Sequence, residues 1–202
     1  MRRLAVALTG ALGVAALLVV LVWLLVAEVA DTASIGPTAT GSSPDPPAAA
    51  PAELPDDVEP ATLDRVVDGD TIRVSVDDPD HSIPVTASVR VRLLNVDAPE
   101  LAREGQPREC GAAEATRYVE QLLEPGETVW LAPDRQDRDD YDRPLRYVFT
   151  ADGVDVQAAL VSAGLAEVIV IRPNDRFADP LAALEDEAQA ARLGIWGELC
   201  PS

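Results

Sequence analysis

Two stretches thirty residues apart carry carboxylates in a pattern suited to phosphate chemistry: Val66-Val67-Asp68-Gly69-Asp70-Thr71-Ile72-Arg73-Val74 and Val91-Arg92-Leu93-Leu94-Asn95-Val96-Asp97-Ala98-Pro99-Glu100. Each ends an apolar, β-branched run with acids, where a strand gives way to a turn. Carboxylates fixed by rigid strands suit a hard divalent cation, and an arginine on one of those strands suits a phosphate. Alone, Asp68-Gly69-Asp70 carries little weight, because turns favour those residues for backbone reasons. The second stretch raises it to a candidate site.

Together the two stretches resemble the staphylococcal nuclease (thermonuclease-like) family. The resemblance continues through Asp140-Tyr141-Asp142-Arg143-Pro144-Leu145, the helix-and-turn segment from Val156 to Ala166, and Gly194-Ile195-Trp196. It covers residues 61–202 and implies an OB-fold barrel whose members hydrolyse DNA and RNA with Ca²⁺, leaving 3′-phosphate ends. It implies Asp70, Asp97 and the backbone carbonyl of Ala98 as cation ligands, with Asp68 behind them orienting a bound water. Two or three protein oxygens would leave such a site open to water and a substrate phosphate. Arg92 and Arg143 become the phosphate clamps, since guanidinium binds phosphate bidentately and stays charged. Glu100 becomes the residue that holds and deprotonates the attacking water, and Tyr141 the hydrogen-bond partner of a terminal phosphate.

The chain also departs from the family pattern. Asp142 stands where glycine is usual and is expected to alter the loop and partly neutralise Arg143. Asp140 replaces a common basic contact. Ile169 and Ile171 occupy positions of base-contacting tyrosines, and losing such platforms removes about 1–3 kcal/mol of stacking per base. Arg90, Arg146 and Arg172 lack motif support and read as surface or salt-bridge residues.

Alternating patterns predict strands over Leu63–Val67, Ile72–Val76, Val85–Val96, Thr128–Leu131 and Leu145–Phe149. Helical stripes over Gly111–Leu123, Val154–Ala163 and Leu181–Leu193 end at Pro or Gly signals. Periodicity alone gives one α+β domain. The resemblance makes it a five-stranded OB-fold β-barrel with three helices. Trp130 and Trp196 fall inside apolar elements and read as core.

Ahead of the domain, Leu4 to Ala27 holds no charged residue, is preceded by Arg2-Arg3 and is followed by Glu28 and Asp31. As a helix this run would span about 36 Å, against a hydrocarbon core of about 30 Å. The charge pattern would leave the N-terminus inside and the domain on the extracellular face. Residues 1–30 are therefore expected to be a transmembrane anchor, with a cleavable signal peptide as the competing reading. Residues 31–60 are rich in Pro, Ala and Ser and read as a disordered linker. Export to an oxidising compartment favours a disulfide between the only cysteines, Cys110 and Cys200. With one histidine, His81, they make no zinc site.

All sixteen basic residues are arginine, and residues 61–202 hold 28 acids against 14 arginines, a net charge of −14. Typical nucleic-acid binders are basic. This surface would repel a polyanion at long range and attract it only through local arginines and a cation. The readings that remain are a monomeric nuclease acting on DNA and RNA and a non-catalytic OB-fold nucleic-acid-binding module displayed outside the cell. An anchored Ca²⁺-dependent adhesive domain would not need Arg92, Glu100 and Arg143 together.

Overall fold

The computed structural model describes residues 54–201. In chain order the elements are β1 (Glu59–Asp68), β2 (Thr71–Val76), β3 (Thr86–Leu93), β4 (Val96–Asp97), α1 (Ala112–Leu122), β5 (Thr128–Ala132), β6 (Leu145–Phe149), α2 (Val156–Ser162), β7 (Glu167–Val168), α3 (Ala178–Ala190) and a 3-10 turn at Gly194–Trp196. Five strands close a barrel in the order β1-β2-β3-β6-β5, antiparallel except for the parallel β3–β6 pair. The alternation seen in the sequence sends Leu63, Ile72, Val74, Val91, Leu93, Val129, Leu131 and Val148 inward, all buried. Helix α1 contributes Ala115 and Val119 to the same core, α2 Leu160 and Val161, and α3 Leu181.

The strand expected to run over Val85–Val96 is two strands. Asn95 lies at φ 58°, a left-handed conformation that Asn tolerates better than most residues. Its Nδ2 donates to the carbonyl of Asn174 at 3.0 Å. That bend lets β4 leave the barrel and pair with β7. Helix α2 starts at Val156 because Asp155 caps it, its Oδ1 accepting from the Ala158 N–H at 2.9 Å. Helix α3 starts at Ala178 rather than Leu181, since Pro180 falls in the first turn, where a helix needs no intrahelical N–H donor. It ends three residues earlier than expected, with Arg192 left-handed at φ 54°.

Leu54 and Val58 pack with Trp130, Tyr147 and Phe149 in a second apolar cluster. Residues 54–60, read from sequence as linker, thus belong to the folded domain. The expected anchor over residues 1–30 and the rest of the linker up to residue 53 lie outside the described residues. Among the described residues no helix is long and apolar enough to cross a membrane. Trp130 and Trp196 are only partly buried.

The end of α2 and the C-terminal turn meet backbone to backbone. A Cβ on Gly194 would lie 2.1 Å from the carbonyl oxygen of Gly164, which accepts the Ile195 N–H at 2.8 Å. Cys110 and Cys200 form a disulfide that ties the segment before α1 to the C-terminal end. The cysteines are 90 residues apart. Closing a loop of that size gives about 4–5 kcal/mol by the chain-entropy estimate. Replacing both cysteines by serine should lower the unfolding free energy in urea by an amount of that order. A loss below about 1 kcal/mol would show that the unfolded chain is not what the disulfide restrains.

Candidate active site

The turn between β1 and β2 buries Asp70, and the burial has a structural cause. A Cβ on Gly69 would sit 2.6 Å from the Cβ of Ala98 and 2.9 Å from that of Ala115, so only glycine lets the turn press against the second motif and α1. The Asp70 carbonyl accepts the Leu93 N–H at 2.8 Å. Its carboxylate accepts the Ala98 N–H at 3.1 Å and the Thr71 hydroxyl at 3.1 Å. Burial pushes the Asp70 carboxyl up to about 6, against the pull of the Arg92 guanidinium, with Asp68 adding to the rise.

Arg92 on β3 reaches the same point. Its Nη1 donates to the carbonyls of Leu93 at 2.9 Å and Val96 at 2.7 Å, which aims Nη2 between two carboxylates. Nη2 lies 3.1 Å from Asp70 Oδ2 and 2.9 Å from Asp97 Oδ1. Asp70 and Asp97 therefore converge on one positive group, and two hard oxygen donors around a cationic centre fit a divalent cation. Among the described residues no three His, Cys, Asp or Glu side chains gather at metal-binding distance. Any further oxygens would come from backbone, water or substrate. Ala98 is placed beside Asp70 through its N–H. Asp68 stands one step back, its Oδ1 accepting the Asp70 N–H at 3.3 Å and its Oδ2 3.5 Å from Arg103 Nη2.

Glu100 follows β4 in a loop held by reciprocal bonds with Glu109. The Glu100 N–H donates to Glu109 Oε2 at 2.9 Å, and the Glu109 N–H to the Glu100 carbonyl at 3.0 Å. Its carboxylate meets Arg103 Nη2 at 2.5 Å. Burial raises the Glu100 carboxyl above its ordinary range, Arg103 opposes the rise, and Asp68 adds to it. Arg143 comes from the loop before β6. Asp139 accepts its Nε at 2.6 Å and its backbone N–H at 2.9 Å. Burial pushes the Asp139 carboxyl up, but these bonds outweigh it and hold the group below its ordinary range. The Arg143 guanidinium lies 5.5 Å from the ring centre of Tyr141, which is 82% exposed.

One cleft of about 690 Å³ brings Arg92, Glu100, Arg103, Tyr141 and Arg143 together. A second, of about 450 Å³, shares Arg92, Tyr141 and Arg143 and adds Asp97, Ile169 and Ile171.

Residues 90–198 match the family model described as staphylococcal nuclease homologue. The chain is 33% identical over 132 residues to a thermonuclease of Staphylococcus intermedius, covering 65% of this chain and 73% of that protein. The chain belongs to the staphylococcal nuclease family. It is also 35% identical over 139 residues to endonuclease YncB of Bacillus subtilis (strain 168), covering 68% of this chain and 61% of that protein. The SPbeta prophage-derived endonuclease YokF of the same organism is 35% identical over 139 residues, of which this chain spans 44% of the relative's length.

Within this family pattern, the glycine departure at Asp142 has a local account. Asp142 lies at φ 63°, the region that favours glycine. Its carbonyl accepts Arg138 Nη1 at 2.8 Å, and its carboxylate lies 3.4 Å from the same atom. The partner of Arg143 is Asp139, so the expectation that Asp142 neutralises Arg143 is corrected. Arg146 is a salt-bridge residue rather than a surface one. It is fully buried on β6, with Nη2 2.7 Å from Asp137 Oδ1 and Nη1 donating to the Leu145 carbonyl at 2.7 Å. Arg172 is exposed and pairs with Asp175 at 3.0 Å. Ile169 and Ile171 are exposed and line the smaller cleft with Asp140.

Sequence reasoning missed Arg103 and Asp139. Arg103, three residues after Glu100, carried a signal only in that spacing. Asp139 was hidden among five nearby acids, and only the fold shows which one faces Arg143.

The Asp70 shift makes a signed prediction for the cation-free protein. An aspartate titrates near 3.9 in the unfolded chain and at about 6 here, so the folded state holds the extra proton between those values. Stability should therefore fall as pH rises through that window and level off above it. Asp70→Asn removes the titration. In chelator, its advantage over wild type should be on the order of 2–3 kcal/mol at pH 8 and should vanish near pH 4, read by urea denaturation. A gap independent of pH would overturn the assignment.

Proposed function

We propose that the domain is a Ca²⁺-dependent phosphodiesterase that hydrolyses DNA and RNA with little sequence preference and leaves 3′-phosphate ends. The observation that carries this reading is that Arg92, Arg143 and Glu100 line one cleft beside the Asp70–Asp97 pair. Of the Arg143 guanidinium, Asp139 takes only Nε, and both Nη groups remain for a phosphate. Ca²⁺ held by Asp70, Asp97 and the Ala98 carbonyl would, when bound, supply Lewis-acid polarisation of the phosphate. With those carboxylates engaged by a cation, the Nη2 donors of Arg92 would be free for the phosphoryl oxygens. Both arginines then stabilise charge that grows in the transition state. Glu100 accepts the proton of the attacking water, and its raised carboxyl is the better matched to that task. Attack in line forms the bond from the water oxygen to phosphorus and breaks the bond from phosphorus to the 5′ oxygen, which leaves with the electron pair and takes a proton from solvent. Tyr141, exposed beside Arg143, would hydrogen-bond a terminal phosphate.

The reading extends to place. Residues 1–30 would anchor a monomeric domain on the extracellular face of the membrane, supported by Arg2-Arg3 ahead of the uncharged run Leu4 to Ala27 and by the Cys110–Cys200 disulfide.

Digestion of single- and double-stranded DNA and RNA with Ca²⁺ or a chelator tests chemistry and metal together. Glu100→Gln should lower turnover by about 10²–10⁴-fold. Arg143→Ala should lower it by about 10²–10³-fold, with the thermal transition retained in both variants. Asp70→Ala should raise the Ca²⁺ needed for half-maximal rate. Near-normal turnover in either of the first two variants would sink the assigned roles. Tight binding without cleavage by the wild type would favour a binding module instead.

A further inference from the structure

We propose that Arg65, Arg73 and Arg90 form a phosphate track on the barrel wall that holds the backbone of a nucleic-acid strand beyond its scissile phosphate. The ligand's identity rests on the nuclease reading above, while the anion-binding row stands on its own geometry.

The strand register lines up the three arginines. Arg65 on β1 lies opposite Arg73 on β2, which lies opposite Arg90 on β3. Val74 and Val91 next to them point into the core, so Arg73 and Arg90 face outward. On β1 the inward residue Leu63 is two before Arg65, and strict alternation would bury the arginine. A register shift between Leu63 and Arg65 turns it out instead, and Arg65 is exposed. Bulges of this kind re-aim side chains beside active sites.

Like charges directly opposite each other on neighbouring strands destabilise a sheet. Carboxylates could relieve this row, and the domain has them in excess. Nine of the fourteen arginines in the described residues pair with an acid. Arg65, Arg73 and Arg90 do not. Arg73 donates Nη1 to the Ser88 hydroxyl at 3.1 Å, and its Nε is buried without any hydrogen-bond partner. A guanidinium without a carboxylate partner, between two others, is a site for phosphate oxygens.

The row also leads somewhere. Arg73 and Arg90 line the same cleft as Arg92, Glu100 and Arg143. With neighbouring strands about 4.8 Å apart, the three positions span roughly 10 Å. At about 3.4 Å per nucleotide that length covers about three nucleotides of a strand. A strand can bend from the wall into the cleft, which a flat lipid surface cannot follow. This favours a polynucleotide over an anionic membrane.

The test compares wild type with Arg65→Gln/Arg90→Gln in the intact chain, on a dinucleotide and on a single DNA strand of about 30 nucleotides. On the long strand kcat/KM should fall about tenfold, with the loss in KM, and the salt dependence of affinity should flatten by about 1.4 in log–log slope, about 0.7 for each lost phosphate contact. Dinucleotide cleavage should not change, and the thermal midpoint should hold or rise as the repulsion is relieved. An unchanged KM on the long strand, or an equal loss on both substrates, would overturn the track. So would weakened binding to phosphatidylserine vesicles with the long strand unaffected. If the wild type cleaves neither substrate, the nuclease reading fails. Anisotropy of the uncleaved strand then still decides the track: weaker binding by the variant upholds it, and equal binding overturns it.

Discussion

The buried carboxylate of Asp70 is the constraint around which the rest of the site is arranged. Removing a carboxylate from water is costly, and the structure offsets this with the Arg92 guanidinium, the Ala98 N–H and the Thr71 hydroxyl. Those three partners come from three parts of the chain, so a single group fixes β2, the end of β3 and the Ala98–Glu100 segment relative to one another. Small residues follow from the same demand. Gly69, Ala98 and Ala115 meet where any added carbon at residue 69 would collide. The offset is incomplete, as the raised Asp70 carboxyl records. A more positive centre between Asp70 and Asp97 would complete it.

An acidic domain in a nuclease family looks contradictory only if charge is counted rather than placed. Arg146 is buried against Asp137, and Arg135 and Arg172 both turn to Asp175. Neighbouring carboxylates hold these arginines, Arg146 in the interior and Arg135 and Arg172 at the surface, which weakens their pull on a polyanion. Repulsion by the remaining acids is screened over about 10 Å at 0.1 M salt. The arginines at the cleft act at contact distance, where screening is weak. Net charge therefore governs approach, while local pairing governs binding.

The barrel strands were legible in the sequence because β-branched and apolar runs mark them and β2 alternates cleanly, even though β1 carries register shifts and β6 buries Arg146 to Phe149 in succession. The end of β3 was not. Nothing local distinguishes Leu94-Asn95 from a continuing strand; the bend depends on Asn95 bonding Asn174, 79 positions away. Pro180 misled in the opposite sense, since a proline reads as a boundary until its place in the first turn is known. The candidate site was legible where its members are contiguous, as in Arg92 to Glu100. Partners brought by loops were not: Asp139 against Arg143, Asp137 against Arg146, and Arg103 across both Glu100 and Asp68. Motifs record the groups that perform chemistry. Neighbours that hold those groups can be supplied from many positions and leave no fixed spacing.

Arg92 and Arg143 are restrained in different ways, and the difference matters for how they could act. Asp139 grips Arg143 through Nε and the backbone, leaving the working end of the fork free. Its side-chain entropy is lost on folding rather than on substrate binding, which favours affinity. Arg92 instead spends Nη2 on Asp70 and Asp97, the same carboxylates that suit a cation. Its availability to a phosphate therefore depends on whether those acids have another positive partner. Under the proposed function, filling of the carboxylate pair and release of Arg92 favour each other, and by linkage a phosphate that draws Arg92 away must strengthen the pair's hold on a cation by the same factor. Arg143 is preset; Arg92 is conditional. A site built this way engages substrate fully only when both charges have arrived.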